Sequence, residues 1–262
     1  MKIVRLLIVL LFVASIAACA PLRPKQPITV LFVGNSLTYV GNLPAVLDAL
    51  AASSGRNIQS DMIVKGGATL TQRVGDETVK HATAAKHYDY VVLQERGGDS
   101  ICSFGPASCT ESETSLRALA KIAVQNGSKP IFLGTYQSLP EASKSLVLAE
   151  AAAAGKSIPY VSVSEHFLRA MHSQPSADWL YADGMHPGHD LILLKAALLY
   201  RSIFGELPRS LGFTVTAPMF TPSTHFALPA PVSRSPELQG VASSYTYAPA
   251  TVATVLAIAR ED

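Results

Sequence analysis

The sequence predicts a three-layer α/β/α domain, in which a doubly wound, mainly parallel sheet of about five strands lies between two layers of helices. Short apolar runs rich in β-branched residues alternate along the chain with longer stretches of helical period. This alternation is typical of strands joined by crossover helices. At 262 residues the chain is also long enough to bury one large core.

The predicted strands are short and apolar. The first covers 28–33 and is apolar throughout, as expected for a strand that is buried on both faces. The other strands are predicted at Ile58–Val64, Tyr90–Leu93, 130–134 and 160–163.

Helical period separates these strands. Asn42 is placed to cap a helix that has Pro44 in its first turn. Further helical stretches are predicted up to about residue 86, over 112–125, up to residue 154 and from about residue 188. The last of these is the predicted final core helix.

The chain divides into four predicted segments. Residues 1–18 have the charged start and apolar run of an export signal. Residues 19–27 form a proline-containing spacer, and 28–207 form the α/β domain. Residues 208–262 are rich in Pro, Ser, Thr and Ala. They are predicted to form an irregular extension whose terminal helix packs back on the domain.

The export signal ends in Ile16-Ala17-Ala18-Cys19, which resembles the lipobox of bacterial lipoproteins. The resemblance implies that Cys19 becomes a lipidated N-terminus, whose acyl chains anchor the protein to a membrane of the cell envelope. An ordinary cleaved signal followed by an incidental cysteine is the alternative. The sequence thus predicts an exported, lipid-anchored protein.

Charge and cysteine content argue against two classes of function. The 21 Lys and Arg residues nearly balance the 19 Asp and Glu residues, without a basic run, so the electrostatic footprint of a nucleic-acid-binding protein is absent. Cys102 and Cys109 lie close together in a stretch with Gly, Ser and Pro, which favours a disulfide in an oxidising compartment. Without a second cysteine pair or a suitably spaced histidine, they do not form a zinc site.

Two polar motifs lie in loops that are predicted at the carboxyl edge of the sheet. In open α/β sheets, the loops at this edge bind ligands. Gly34-Asn35-Ser36-Leu37 directly follows the first strand, and Asp183-Gly184-Met185-His186 precedes the final core helix. A serine nucleophile needs a base to take its hydroxyl proton and a carboxylate to orient that base. Ser36, His186 and Asp183 are the residue types that this chemistry requires.

In order and in context, these motifs resemble those of the SGNH/GDSL hydrolases, which have a Gly-Asp/Asn-Ser-Leu motif after the first strand and an Asp-x-x-His motif before the last helix. The resemblance covers about residues 28–207. It implies a flavodoxin-like fold, a Ser36–His186–Asp183 triad without metal or organic cofactor, and hydrolysis of a small-molecule or glycan ester. Thioester hydrolysis, acetyl transfer to an envelope sugar, and non-catalytic glycan or lipid binding are alternatives on the same scaffold.

The resemblance also implies an oxyanion hole formed by the serine N–H, a glycine after the second strand and an asparagine after the third. Ser36 and Gly67 supply the first two donors, with Gly66 as the alternative glycine. The third position departs from the pattern, because the chain continues there as Gln94-Glu95-Arg96-Gly97-Gly98-Asp99. Gln94 carries the required amide and is the predicted substitute. Alternatively, its side chain only satisfies loop backbone.

The remaining histidines lack metal-ligand spacing and are predicted to be surface or structural residues: His81, His87, His166, His172 and His225. His189 lies close to His186 and is either part of the rim of the site or a polar residue at the start of a helix. Glu95 and Arg96 form either a charged substrate rim or a solvated pair.

Overall fold

The computed structural model describes residues 26–209, 211–224, 226 and 243–261. The predicted export signal, the lipidation residue Cys19, most of the spacer 19–27 and His225 lie outside these described residues. The predicted α/β domain, 28–207, is described throughout.

A parallel sheet of five strands forms the centre of the domain and confirms the predicted fold class. Its strands are β1 (Ile28–Gly34), β2 (Ile58–Val64), β3 (Tyr90–Leu93), β4 (Lys129–Leu133) and β5 (Tyr160–Val161). The strand order is β2-β1-β3-β4-β5. Because this order reverses direction at β1, the carboxyl end of β1 lies at the topological switch point, where such sheets bind ligands.

Helices pack on this sheet and complete the predicted α/β/α arrangement. They are α1 (Ser36–Tyr39), α2 (Leu43–Ser53), α3 (Leu70–Gly75), α4 (Thr78–Ala85), α5 (Pro106–Gln125), α6 (Pro140–Ala154), α7 (Ser164–Ser173), α8 (His189–Phe204) and α9 (Pro249–Arg260). Within the described ranges, none of these helices is long and apolar enough to cross a bilayer.

Alternate residues of β1 point to opposite faces of the sheet. Val30 and Phe32 are buried in one apolar cluster with side chains of α2 and α8, whereas Leu31 and Val33 are buried in a second cluster with side chains of α5. Each of the four is at most 1% exposed, and burying such a side chain contributes roughly 1.5–3 kcal/mol. The strand that leads to Ser36 is therefore fixed from both sides.

Three helical regions differ from the sequence prediction. α5 begins at Pro106 rather than at residue 112, because proline is favourable at a first helical position even where the following turns are polar. The stretch predicted up to residue 86 is two helices, separated by Asp76 and Glu77, and Glu77 has a left-handed φ of 54°. α7 is not part of the sequence prediction, since polar residues interrupt its buried positions Phe167 and Ala170.

The described part of the C-terminal extension is more regular than the sequence predicts. Strands β6 (Phe213–Thr216) and β7 (Ser244–Tyr247) pair antiparallel, and β6 alternates buried and exposed residues, as a half-buried strand does. α9 contacts α8. The apolar residues predicted for the terminal helix are all buried there: Val252, Val255, Leu256 and Ala259.

Candidate active site

The turn between β1 and α1 places Ser36 at the first position of a helix. Gly34 is required in this turn, because a Cβ atom there would clash with Thr38 Oγ1. Asn35 is the N-cap, and its Oδ1 accepts a hydrogen bond from the Leu37 N–H at 3.0 Å. The Ser36 N–H has no acceptor within the helix. Its hydroxyl and N–H therefore both lie at the carboxyl edge of the sheet.

A second hydrogen bond of Asn35 joins this turn to the loop after β2. Its Nδ2 donates to the Ala68 carbonyl oxygen at 3.1 Å, and both residues are buried. Gly67 directly precedes Ala68 and has a left-handed φ of 66°, a conformation that glycine adopts without strain. Asn35 thus connects the two predicted main-chain donors, Ser36 and Gly67.

His186 and Asp183 contact each other directly on the loop before α8. His186 Nδ1 lies 2.7 Å from Asp183 Oδ2, and Asp183 Oδ1 accepts from the N–H groups of His186 and Met185, each at 2.9 Å. These hydrogen bonds, above all the one from the His186 N–H, lower the pKa of Asp183 to about 2. Since the ionised carboxylate holds Nδ1, the ring nitrogen that remains for a serine hydroxyl is Nε2.

Contacts with the rest of the domain hold this loop in place. The Tyr136 hydroxyl donates to the Met185 carbonyl oxygen at 2.8 Å, and burial raises the pKa of Tyr136 well above its usual value, so the phenol stays protonated. The Tyr181 N–H donates to the His186 carbonyl oxygen at 2.9 Å. The main chain on either side of the histidine is therefore fixed.

A cleft of about 410 Å³ brings together three of the predicted site residues, because Ser36, Gly67 and His186 all line it. The remaining walls are largely apolar and include Leu37, Phe104, Tyr136, Phe167, Leu180 and Met185. Apolar walls with a few polar groups are typical of sites for small organic ligands. The aromatic wall residues were missed at the sequence level, because loops from distant parts of the chain assemble this surface.

The structure gives Gln94 a different partner from the predicted oxyanion. Its side chain is 1% exposed and is not part of the cleft wall. Nε2 donates to the Gly134 carbonyl oxygen at 3.2 Å, and Oε1 accepts from Thr38 Oγ1 at 2.8 Å and from Lys195 Nζ at 3.2 Å. Because a buried amide requires hydrogen-bond partners, Gln94 here joins the ends of β3 and β4. This contact matches the alternative in which it satisfies loop backbone.

Glu95 and Arg96 do not form a solvated pair. Glu95 is fully buried, its Oε1 accepts from the N–H groups of Leu70 and Arg96, and burial raises its pKa. Arg96 lines the cleft and donates through Nε and Nη2 to both carboxylate oxygens of Asp99, at 2.8 and 2.9 Å. Its guanidinium lies 3.6 Å from the centre of the Phe104 ring. Arg96 therefore has the predicted rim position, and Glu95 does not.

A disulfide joins Cys102 and Cys109 in the structure. It links the residue after a short 3₁₀ turn, Asp99–Ile101, to the first turn of α5. The loop that it closes carries Phe104, the aromatic partner of Arg96.

His189 lies away from the cleft wall. The His189 ring stacks on the Tyr245 ring with the centroids 3.7 Å apart, and the main-chain N–H of His189 donates to Asp178 Oδ2 at 3.0 Å. These contacts fit a polar residue at the start of α8. Among the described residues, no group of three or more His, Cys, Asp or Glu side chains is placed to hold a metal ion.

Comparison with known proteins relates this architecture to hydrolases of solved structure. No family profile and no curated relative matches the sequence. A protein of Slackia heliotrinireducens described as an SGNH hydrolase shares 23% identity, with 68% of this chain and 100% of that chain covered and a TM-score of 0.56. An acetylxylan esterase from Geobacillus stearothermophilus shares 16% identity, with 72% and 99% covered and a TM-score of 0.57.

A third solved structure is the psychrotrophic esterase EstA from Pseudoalteromonas sp., inhibited by monoethylphosphonate. It shares 16% identity, with 67% of this chain and 96% of that chain covered and a TM-score of 0.52. In all three cases the match spans nearly the whole of the other protein. The strand order β2-β1-β3-β4-β5 is that of flavodoxin-like folds. The chain therefore has the fold of the SGNH/GDSL hydrolases.

Proposed function

We propose that this protein is a serine esterase with Ser36 as nucleophile, His186 as general base and Asp183 as the residue that orients the base. The observation that supports the proposal most directly is the meeting of Ser36, Gly67 and His186 in one cleft. Asp183 Oδ2 lies 2.7 Å from Nδ1 of the His186 imidazole. Its low pKa keeps it ionised, so it stabilises the imidazolium that forms during the reaction.

The reaction proceeds in two halves. Ser36 Oγ attacks the ester carbonyl carbon while His186 Nε2 takes the hydroxyl proton. The tetrahedral intermediate then collapses, the bond to the alcohol oxygen breaks, and the imidazolium returns the proton to that oxygen. In the second half, water gives a proton to His186 as it attacks the acyl-enzyme. The acid leaves, and Ser36 Oγ recovers its proton.

The negative charge on the intermediate is stabilised by main-chain donors. Ser36 N–H and Gly67 N–H are the donors that we assign, because they belong to adjacent loops of the same cleft. Gln94 is left out of the hole, since its amide nitrogen donates to Gly134. Loss of either remaining donor is expected to cost about two to three orders of magnitude in kcat.

The substrate in this proposal is a small ester of an envelope or extracellular compound, such as an acetylated glycan. The largely apolar cleft of about 410 Å³ has the size of a site for a small organic ligand, and one of the solved neighbours is an acetylxylan esterase. Lipidation of Cys19 would hold the enzyme at the membrane surface, next to such compounds.

Replacement of the nucleophile tests the proposal. We expect Ser36→Ala to lower the hydrolysis of p-nitrophenyl acetate by roughly a thousandfold or more and to abolish labelling by a fluorophosphonate probe, without loss of the fold. Ser138 also lines the cleft, so Ser138→Ala is the matched control and should keep both activities. Hydrolysis retained by Ser36→Ala would contradict the assignment.

Two further measurements separate the alternatives. Acyl thioesters and acetylated glycans, assayed side by side with and without a sugar acceptor, distinguish hydrolysis from transfer. A wild-type protein that neither reacts with the probe nor cleaves any of these substrates would instead be a non-catalytic binding protein.

A further inference from the structure

Lys195 on α8 is a buried lysine that contacts α1, the short helix that begins at Ser36. Its side chain is 0% exposed. Nζ donates to the carbonyl oxygen of Leu37 and to Oε1 of Gln94. Within the described residues, none of the salt bridges involves Lys195. Burial of an amine without a carboxylate is costly unless hydrogen bonds satisfy it.

The two acceptors suit an uncharged amine. Burial lowers the pKa of Lys195 to about 7, so a substantial fraction of the side chain is neutral at neutral pH. A neutral amine has two N–H groups, and the site offers it two carbonyl oxygens. An ammonium group would bring a third N–H and a charge to the same place.

The peptide groups around Leu37 are held from both sides. The Leu37 N–H donates to Asn35 Oδ1 at 3.0 Å, and its carbonyl oxygen accepts from Lys195. The next residue, Thr38, donates through Oγ1 to Gln94 Oε1 at 2.8 Å. Because Leu37 directly follows Ser36, these contacts fix the orientation of α1 relative to α8 and to the end of β3.

We propose that Lys195 is a positioning residue for the nucleophile: with Gln94 it holds α1 in the orientation in which the Ser36 hydroxyl and N–H face the cleft. The inference rests on the proposed esterase activity. It also gives Gln94 a function, because the amide oxygen is the point at which Lys195 and Thr38 meet. Removal of the amine leaves two buried carbonyl oxygens with one hydrogen bond fewer each and removes the hydrogen bond that joins α1 to α8.

Lys195→Met is the first test, because it keeps an unbranched side chain of similar length and removes the donors. We expect kcat for p-nitrophenyl acetate to fall roughly 10- to 100-fold, since a displaced nucleophile loses catalytic geometry. KM should change by less than about twofold, because Lys195 itself is not part of the cleft wall. The rate of fluorophosphonate labelling should fall by the same factor as kcat.

A structural control separates positioning from stability. Leu198 is a buried apolar residue of the same helix, and Leu198→Ala should lower Tm while leaving kcat unchanged well below Tm. If Lys195→Met lowers Tm but keeps wild-type kcat and the wild-type labelling rate, as a purely structural lysine would, the inference is wrong.

Thr38→Val is a second, milder variant that keeps the inference testable if Lys195→Met does not fold. It removes the hydroxyl that donates to Gln94 Oε1, and we expect kcat to fall about three- to tenfold at constant KM. In the double variant the two losses should be less than additive, because both act through Gln94. Unchanged kcat in Thr38→Val together with a failure of Lys195→Met to fold would also overturn the inference.

The wild-type protein distinguishes the two levels of failure. A wild-type enzyme that is inactive and unlabelled would refute the proposed function. An active wild-type enzyme, an inactive Ser36→Ala variant and an unimpaired Lys195→Met variant would refute the role of Lys195 alone.

Discussion

The side-chain amide of Asn35 donates to the Ala68 carbonyl oxygen at 3.1 Å and so ties the residue before Ser36 to the residue after Gly67. The same side chain caps α1 through its oxygen. We expect Asn35→Ala to lower the free energy of unfolding by about 1–2 kcal/mol. Because the two main-chain donors lose their connection, kcat for p-nitrophenyl acetate should also fall by about tenfold or more.

Asn126→Ala is the matched control for this change. Asn126 makes an amide-to-carbonyl hydrogen bond of the same kind, to Ile122 at 2.9 Å, and does not line the cleft. It should reduce stability modestly and leave kcat unchanged. Denaturant unfolding and steady-state kinetics measure both effects. Equal kcat in the two variants would show that the link between the loops is not needed for catalysis.

Arg96 gives a second prediction, about substrate binding. Its guanidinium donates to both oxygens of Asp99 and stacks on Phe104, and an ammonium group cannot reproduce this bidentate and planar geometry. We therefore expect Arg96→Lys to raise KM about three- to tenfold while kcat changes by less than about twofold. Arg117→Lys alters an exposed pair with Glu113 and should change neither constant. A larger effect on kcat than on KM would contradict this assignment.

We expect the free energy of unfolding to depend on pH because of Glu150. It is fully buried, and burial raises its pKa to about 7 from an ordinary value of 4.5, although Thr135 and Tyr160 donate to it. Between these two values the folded state binds the proton more tightly than the unfolded chain, so stability falls as pH rises through this window. Between pH 5 and pH 7 the loss due to Glu150 should be about 2 kcal/mol.

Glu150→Gln should remove this part of the pH dependence, because an amide has no proton to lose. Urea unfolding at both pH values measures the difference, and Glu165→Gln, at an exposed position of α7, is the control that should behave as the wild type. An equal loss of stability on going to pH 7 in wild type and Glu150→Gln would contradict the raised pKa.

The central strands were predictable because their sequence pattern and their environment agree. β2 and β3 have the predicted bounds, since each combines apolar residues with burial by helices packed on the sheet. β6 and α7 were not predictable from the same reasoning, because tertiary contacts select these elements where the local pattern is short or interrupted. The helix start at Pro106 was missed for a related reason, since the polar first turns carry little apolar period.

The candidate site was predictable where position alone determines it. Ser36 and His186 each adjoin a core element at one edge of the sheet, and they line one cleft. The direction of the Gln94 amide was not predictable, because it depends on hydrogen bonds with residues distant in sequence: Thr38, Gly134 and Lys195, the last of them 101 residues away. The signal for Lys195 is a lone charged residue within the apolar segment 191–199.

The hydroxyl and the imidazole of the proposed triad come from opposite ends of the amino-acid sequence of the α/β domain. During synthesis, the ribosome releases the segment with Ser36 long before the one with His186 and Lys195. A nascent or truncated polypeptide would thus have Ser36 without His186 as its proton acceptor and without Lys195 to hold α1 in place. Such an intermediate would not cleave esters, and the protein would become reactive only when its last core helix, α8, packs on the sheet.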